Sequence, residues 1–417
     1  MKCASIGVAA AGVLAIACPT SVTLAQPWSF TKIVDSDTSI PGTATLKFDG
    51  ADSFQHVSVY GGRVAFRGQS KTGNGLGVYE WQSGVGRTIA NKNTTVPRGT
   101  KTFGSFEDVN ATSRGVTFYG SAASDNGGIF YEDGTTLGHV ADRKDDIPDG
   151  NGKFVGIEFR HHSVGTSTAF AGRNDASGQP FGIYRSDDGV LSRIADKTMS
   201  PPGRAETFST MLSWQIDGDA TIFTAETVSG YRALMRSVNG HITTLVDTNQ
   251  AWTDGNHFNG LGFIRTSGGN TAFLTDTDDK AERLYKITDS GIDLMVDERM
   301  APPDGSSATY GGIGEYAFAN DTLVFKAANG AIYTDFGGSM SRVVGSGDVL
   351  DGKQVLSVNF YEHGFDGTTA AFWVIFEGDS SFHYDRAIYT VTIPAPGATG
   401  LVFSCMMLAL GRGRRAV

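Results

Sequence analysis

The chain has 417 residues, 55 of them glycine, 26 phenylalanine and 13 tyrosine, and only 19% charged, a mix that favours many short strands and tight turns over helices. Residues 26–392 carry 30 basic and 44 acidic side chains, a net charge of −14, which argues against nucleic acid and anionic membrane surfaces as partners. The three cysteines, Cys3, Cys18 and Cys405, lie outside that body, so it holds neither a disulfide framework nor a thiolate metal site.

In chain order, the first element is a secretory signal peptide, residues 1–25. Lys2 precedes an apolar run from Ile6 to Ala17, and Thr23-Leu24-Ala25 supplies small residues for cleavage after Ala25. Acylation at Cys18 is the competing reading, with Ala15 where such a site wants a branched apolar residue.

The body, residues 26–392, repeats seven times. A short strand ends at Val34-Asp35, Ala90-Asn91, Ala141-Asp142, Ala195-Asp196, Val246-Asp247, Val296-Asp297 and Val344-Gly345, 48 to 56 residues apart. Six residues beyond each stands Pro41, Pro97, Pro148, Pro202, Thr253, Pro303 or Asp351, with a glycine close behind. A second column holds Phe66, Phe118, Phe170, Phe223, Phe273, Phe325 and Phe372, and a third Tyr79, Phe130, Tyr184, Met235, Tyr285, Tyr333 and Tyr389.

Each copy contains four strand-like runs. In the second these are Arg87–Ala90, Ser105–Val109, Gly115–Tyr119 and Gly128–Tyr131. Four strands in about 50 residues, without a helical period, predict an all-β fold: a seven-bladed β-propeller with four-stranded blades. The long connection runs from the Asp to the Pro-Gly segment, so that segment is the crossover between blades. The first strand, Phe30–Asp35, then has no blade of its own. It is expected to complete the last blade beside Ala387–Thr392, closing the ring and removing two open edges.

The last element, residues 393–417, runs from Ile393-Pro394-Ala395-Pro396 through an apolar stretch, Ala398 to Leu410, to Arg412, Arg414 and Arg415. Thirteen mostly apolar residues in a row fall short of the about 20 needed to span a bilayer. The segment resembles the PEP-CTERM sorting signal of Gram-negative bacteria, with Pro394 and Pro396 as the processing prolines. That resemblance implies an exosortase-type partner, export to the outer surface or extracellular matrix, and membrane contact only through this segment. A plain tail anchor is the alternative. Within the body, Gly62-Arg63-Val64-Ala65-Phe66 and Gly269-Asn270-Thr271-Ala272-Phe273 are similar to the Gly-to-Phe part of an exported tandem-repeat family named for an Asn-x-x-Gly-x-x-Ala-Phe motif. The resemblance implies a surface protein without an assigned activity.

Chemistry is sparser. The repeated Asp ends a strand and opens a turn, as Asx residues commonly do. Asp149-Gly150, Asp254-Gly255 and Asp304-Gly305 resemble calcium loops, but none has both preceding alternate oxygen positions filled, so calcium is admitted without a complete motif. Gly347–Lys353 has phosphate-loop spacing, but Gln354 replaces the Ser or Thr, and a strand rather than a helix follows. Zinc-hydrolase and serine-hydrolase signatures are absent, and the sequence assigns no catalytic residue, cofactor or metal ligand.

What remains is a polar set on the expected innermost strands: His56, Glu107, Asp108, Arg160, His161, His162, Glu315, Glu362 and His363. Propellers bind ligands around the central channel, although a wet channel would also be polar. The reading that follows is a non-enzymatic surface propeller binding polysaccharide or another surface protein, with Trp81, Trp214 and Trp252 as possible sugar-stacking residues. The alternative is an exported polysaccharide lyase or glycosidase using channel carboxylates such as Asp108 and Glu362.

Overall fold

A computed structural model describes residues 28–122, 125–150, 152–174, 181–250, 257–377 and 385–393. The signal peptide with Ala25, the prolines Pro394 and Pro396, and Trp252 to Asp254 lie outside them.

The described residues form seven four-stranded antiparallel sheets arranged as the blades of a propeller, without an α-helix. The innermost strands of blades one to seven are Gln55–Tyr60, Phe103–Ala111, Gly156–Val164, Phe208–Asp217, Gly262–Ser267, Ile313–Ala319 and Lys353–Asn359. The chain moves outward through each blade, then crosses to the next. Blade seven is completed by Phe30–Asp35, antiparallel to Arg386–Thr392, with Phe30 opposite Val391, Lys32 opposite Tyr389 and Asp35 opposite Ala387. The expected closure is therefore the observed one. Ile393, assigned by sequence to the tail, packs into the core of blade seven and donates its N–H to Thr368.

The aromatic columns explain why each blade adopts one register. Phe66 lies directly opposite Tyr79, Phe118 opposite Phe130, Phe170 opposite Tyr184, and Phe223 opposite Met235. Phe273 faces Tyr285, Phe325 faces Tyr333 and Phe372 faces Tyr389. In the six ring–ring pairs the centroids lie 5.6 to 6.3 Å apart with planes 19° to 34° from parallel. All fourteen residues are almost wholly buried.

A further column, not recognised in the sequence, stands on these pairs. Phe48, Phe103, Phe154, Phe258 and Tyr310 meet the third-strand rings at 4.9 to 5.3 Å and 78° to 86°. Such edge-to-face contacts are favoured by the ring quadrupole. Each sits at the end of a crossover whose start is an Asx turn: the Oδ1 atoms of Asp35, Asn91, Asp142, Asp196, Asp247 and Asp297 accept the N–H two residues on. The crossover closes when Phe48, Phe103, Phe154, Phe208 or Tyr310 donates its N–H to the residue three past the turn's Asx. The Gly347–Lys353 segment forms a two-residue strand paired to Lys353–Asn359, not a phosphate-binding helix start.

The added ring leaves no room on the second strand beneath it. A Cβ on Gly120 would stand 2.7 Å from the Phe103 ring. Gly120→Ala should therefore lower stability by roughly 1–3 kcal/mol through overpacking, with Phe103→Leu in the same chain recovering part of the loss; urea denaturation of the single and double variants measures both.

Candidate functional site

The innermost strands have no ladder partner on the channel side, so their N–H groups need other acceptors. Side chains of the preceding blade supply them. Ser58 Oγ accepts the N–H of Ala111, Asp108 Oδ2 that of His161 at 2.6 Å, and His162 Nδ1 that of Ile216 at 2.9 Å. Ser213 and Ser267 continue the pattern onto Ile264 and Asn320. Between blades seven and one, the His363 carbonyl and the Asp366 carboxylate accept the N–H groups of Val59 and Gly61.

Every innermost strand also slips register near its start, for example between Gln55 and Ser58, Glu107 and Asn110, and Ile157 and His161. An extra residue there re-aims its side chain. His56, Asp108 and Arg160, spaced 52 residues apart, stand at this repeated position, as do Phe263 and Glu315 in blades five and six. Three of them adopt left-handed backbone, with φ of 51° at His56, 45° at Asp108 and 40° at Phe263. Non-glycine residues hold that conformation only when their surroundings enforce it.

The channel is crossed at mid-depth by a network of ionisable groups. His161 places Nδ1 3.1 Å from Asp108 Oδ2 and joins Thr117 Oγ1 through Nε2 at 3.0 Å. His363 stacks on His162 with centroids 5.6 Å apart, and its Nε2 stands 3.8 Å from Asp108 Oδ1 and 3.7 Å from Glu362 Oε1. Arg265 Nη2 contacts Glu362 Oε2 at 2.6 Å and lies 3.8 Å from Glu315 Oε2, while its other nitrogens donate to the carbonyls of Tyr316 and Ile264. Nearer the surface, His56 Nε2 contacts Glu107 Oε2 at 2.9 Å and its ring stacks on Tyr361.

Burial and charge pull these groups in different directions. Burial opposes ionisation of Asp108, but the adjoining charges of His161 and His363 and the His161 N–H groups outweigh it and hold the carboxyl well below its usual range. Burial, reinforced by the charges of His363 and Arg265, keeps His162 well below the ordinary histidine value. His363 is lowered too, by burial acting against Glu362 and Asp108. Glu315 is raised by the protein packed around it, against the pull of Arg265.

Two cavities approach this network from opposite mouths, and Glu362 and His363 line both. One, of about 240 Å³, is bounded by the turns between first and second strands and receives residues from all seven blades, among them Asn110, His162, Gln215 and Arg265. The other, of about 110 Å³, is lined by His56, Asp108, Phe159, Arg160, Glu315 and Tyr361 as well. Phe159 and Phe263 are half-exposed at this second mouth, and the Arg160 guanidinium lies between them, 6.0 and 5.7 Å from the two ring centroids. Among the described residues Arg160 makes no ion pair.

The sequence-derived candidates thus meet in the channel: His56, Asp108, Arg160 and Glu315 at the second mouth, Glu362 and His363 between the two cavities, and His162 in the first. Arg265, Phe159 and Phe263 were missed. The first bears no motif, whereas Phe263 shares the bulge position of His56 and Asp108, which the repeat phase would have revealed. Trp214 is buried in the core between blades three and four, and Trp81 packs on Phe48 and Phe66, so neither is an open stacking surface. Their places in the repeat put both rings between blades, where apolar area is removed from water.

Arg265 carries the network's main compensating charge. Arg265→Met should leave Glu362 without its partner and cost up to about 3–5 kcal/mol in urea denaturation; a loss below about 1 kcal/mol would mean that solvent screens the pair.

Solved structures that match include YCF48 from Cyanidioschyzon merolae, 14% identical over 84% of this chain and 99% of that one, with a TM-score of 0.39. The polysaccharide lyase Uly1 is 9% identical over 87% and 98%, with a TM-score of 0.46. The β-propeller domain of the Trilobed protease from Pyrococcus furiosus is 12% identical over 70% and 86%, with a TM-score of 0.44. No curated protein matches in sequence. A family model described as a family of unknown function (DUF7453) matches residues 28–372, and the chain belongs to that family.

Proposed function

We propose that the chain is an exported surface propeller that binds saccharide at the channel mouth formed by Phe159, Arg160, Phe263 and Glu315, without turning it over. The observation that carries this reading is the repeated bulge. It sets a half-exposed ring, an unpaired guanidinium and a carboxylate around one opening, on rigid strands rather than loops. Aromatic faces accept the apolar side of a sugar ring, and guanidinium and carboxylate groups meet its hydroxyl and acidic substituents. The signal peptide and the PEP-CTERM-like tail support export and exosortase-type sorting.

A glycosidase reading fares less well. That chemistry needs one carboxyl kept protonated beside a second, ionised one. The two carboxyls that the sequence offered do not form that pair, since Asp108 is held well below the usual carboxyl range and Glu362 is engaged by Arg265 at 2.6 Å; the carboxyl raised by burial at this mouth is instead that of Glu315, which the same opening displays for ligand contact.

A glycan array probed with the purified protein tests the binding. A specific saccharide should be retained, with affinity falling at least tenfold in Phe159→Ala/Phe263→Ala and in Arg160→Ala. A blank array would remove saccharide as the ligand, and conversion of any retained glycan would overturn the non-enzymatic reading. Export makes a separate prediction: mass spectrometry of the mature protein from its own cells should find an N-terminus at Gln26, whereas a retained Met1 would exclude signal cleavage.

A further inference from the structure

The mid-channel network contains an unmet demand that saccharide binding does not address. His363 is more than nine-tenths buried, and its Nε2 has no hydrogen-bond partner. A buried imidazole nitrogen without a partner is rare in folded proteins. It is aimed at two carboxylate oxygens, Asp108 Oδ1 at 3.8 Å and Glu362 Oε1 at 3.7 Å, beyond hydrogen-bonding reach of both. All three atoms lie within 4.8 Å of one another.

From this geometry we infer a divalent transition-metal site, with Asp108 Oδ1, Glu362 Oε1 and His363 Nε2 as ligands and Zn²⁺ as the ion that fits best. Ligands at about 2.0–2.2 Å from a tetrahedral zinc stand roughly 3.3–3.6 Å from each other, close to the spacing of the His363 nitrogen from both carboxylates. Two carboxylates and one imidazole balance a double positive charge. Calcium and magnesium choose oxygen-only shells, whereas an imidazole selects zinc and its neighbours.

The remaining oxygens are already held from behind. Asp108 Oδ2 accepts the His161 N–H, and Glu362 Oε2 is paired with Arg265. Such outer contacts orient ligating carboxylates. All three ligands line the narrower cavity, so an open coordination position would face the Phe159–Arg160 mouth. A second cluster, His139, Asp142 and Asp145, has similar spacing. There the Arg98 guanidinium already contacts both His139 and Asp145, supplying the positive charge in place of an ion.

The test is calorimetric titration of the chelator-treated full-length protein with Zn²⁺, with metal content after dialysis measured by mass spectrometry. One Zn²⁺ per chain is expected, undisturbed by a thousandfold excess of Ca²⁺. His363→Ala and Glu362→Gln should each weaken binding at least 100-fold, while His139→Ala leaves it unchanged. Circular dichroism establishes that each variant is folded. Should both channel variants misfold, histidine-detected NMR of the wild-type protein decides: Zn²⁺ must shift the His363 Nε2 resonance. Absence of binding, equal displacement by Ca²⁺, loss only in His139→Ala, or an unmoved His363 resonance would each overturn the assignment.

Discussion

The ring rests on one repeated contact, the side chain on the second strand of each blade facing that on the third. In six blades both are aromatic, as with Phe170 against Tyr184 and Phe325 against Tyr333. A one-residue slip would send every such ring to the opposite face of its sheet. Each aromatic pair adds about 0.5–1.5 kcal/mol beyond its buried area, so the penalty for a wrong register recurs blade by blade. The perpendicular ring brought in by the crossover then locks the position of the following blade's first strand. Packing within blades and placement between blades are thereby set by the same few side chains.

Placement of the first strands creates a different problem, seven unpaired edges facing one another across a narrow channel. The solution consumes polar side chains, and this separates the candidate residues by role. Asp108 and His162 are committed to a neighbour's backbone N–H, as are Ser58 and Ser213. They hold the ring together whatever else they do. Arg160, Phe159 and Phe263 have no such duty, yet they are displayed on the same rigid strands. Side chains that contribute nothing to closure but remain precisely oriented are the ones to associate with a ligand.

Much of the fold was legible because it is periodic. The Asp-to-Pro-Gly spacing identified the crossovers, the two aromatic columns identified the middle strands, and connection length alone assigned Phe30–Asp35 to blade seven. The column of Phe48, Phe103, Phe154 and Tyr310 was not seen, since these residues stand where the crossovers end, outside the strand runs whose alternation marked the other two columns. The channel network was legible only as a set of residue types. Asp108 comes from blade two, whereas Glu362 and His363 are neighbours in the chain of blade seven, and no local spacing connects that pair to Asp108. Trp81 and Trp214 show the converse: composition favours them as ligand platforms, but their positions in the repeat place them between blades.

The closing strand has a temporal side. Phe30–Asp35 leaves the ribosome among the first residues of the body, and its partner Arg386–Thr392 among the last. Contacts of such long sequence separation form slowly, so the earliest strand must wait with both edges bare while six blades assemble. Its exposed residues limit that hazard, because Thr31 and Lys32 face outward and only Val34 is deeply buried. Lys32 is the sort of edge charge that discourages pairing with another chain. The same short segment that makes the finished ring continuous is thus composed to remain solitary until the ring is ready for it.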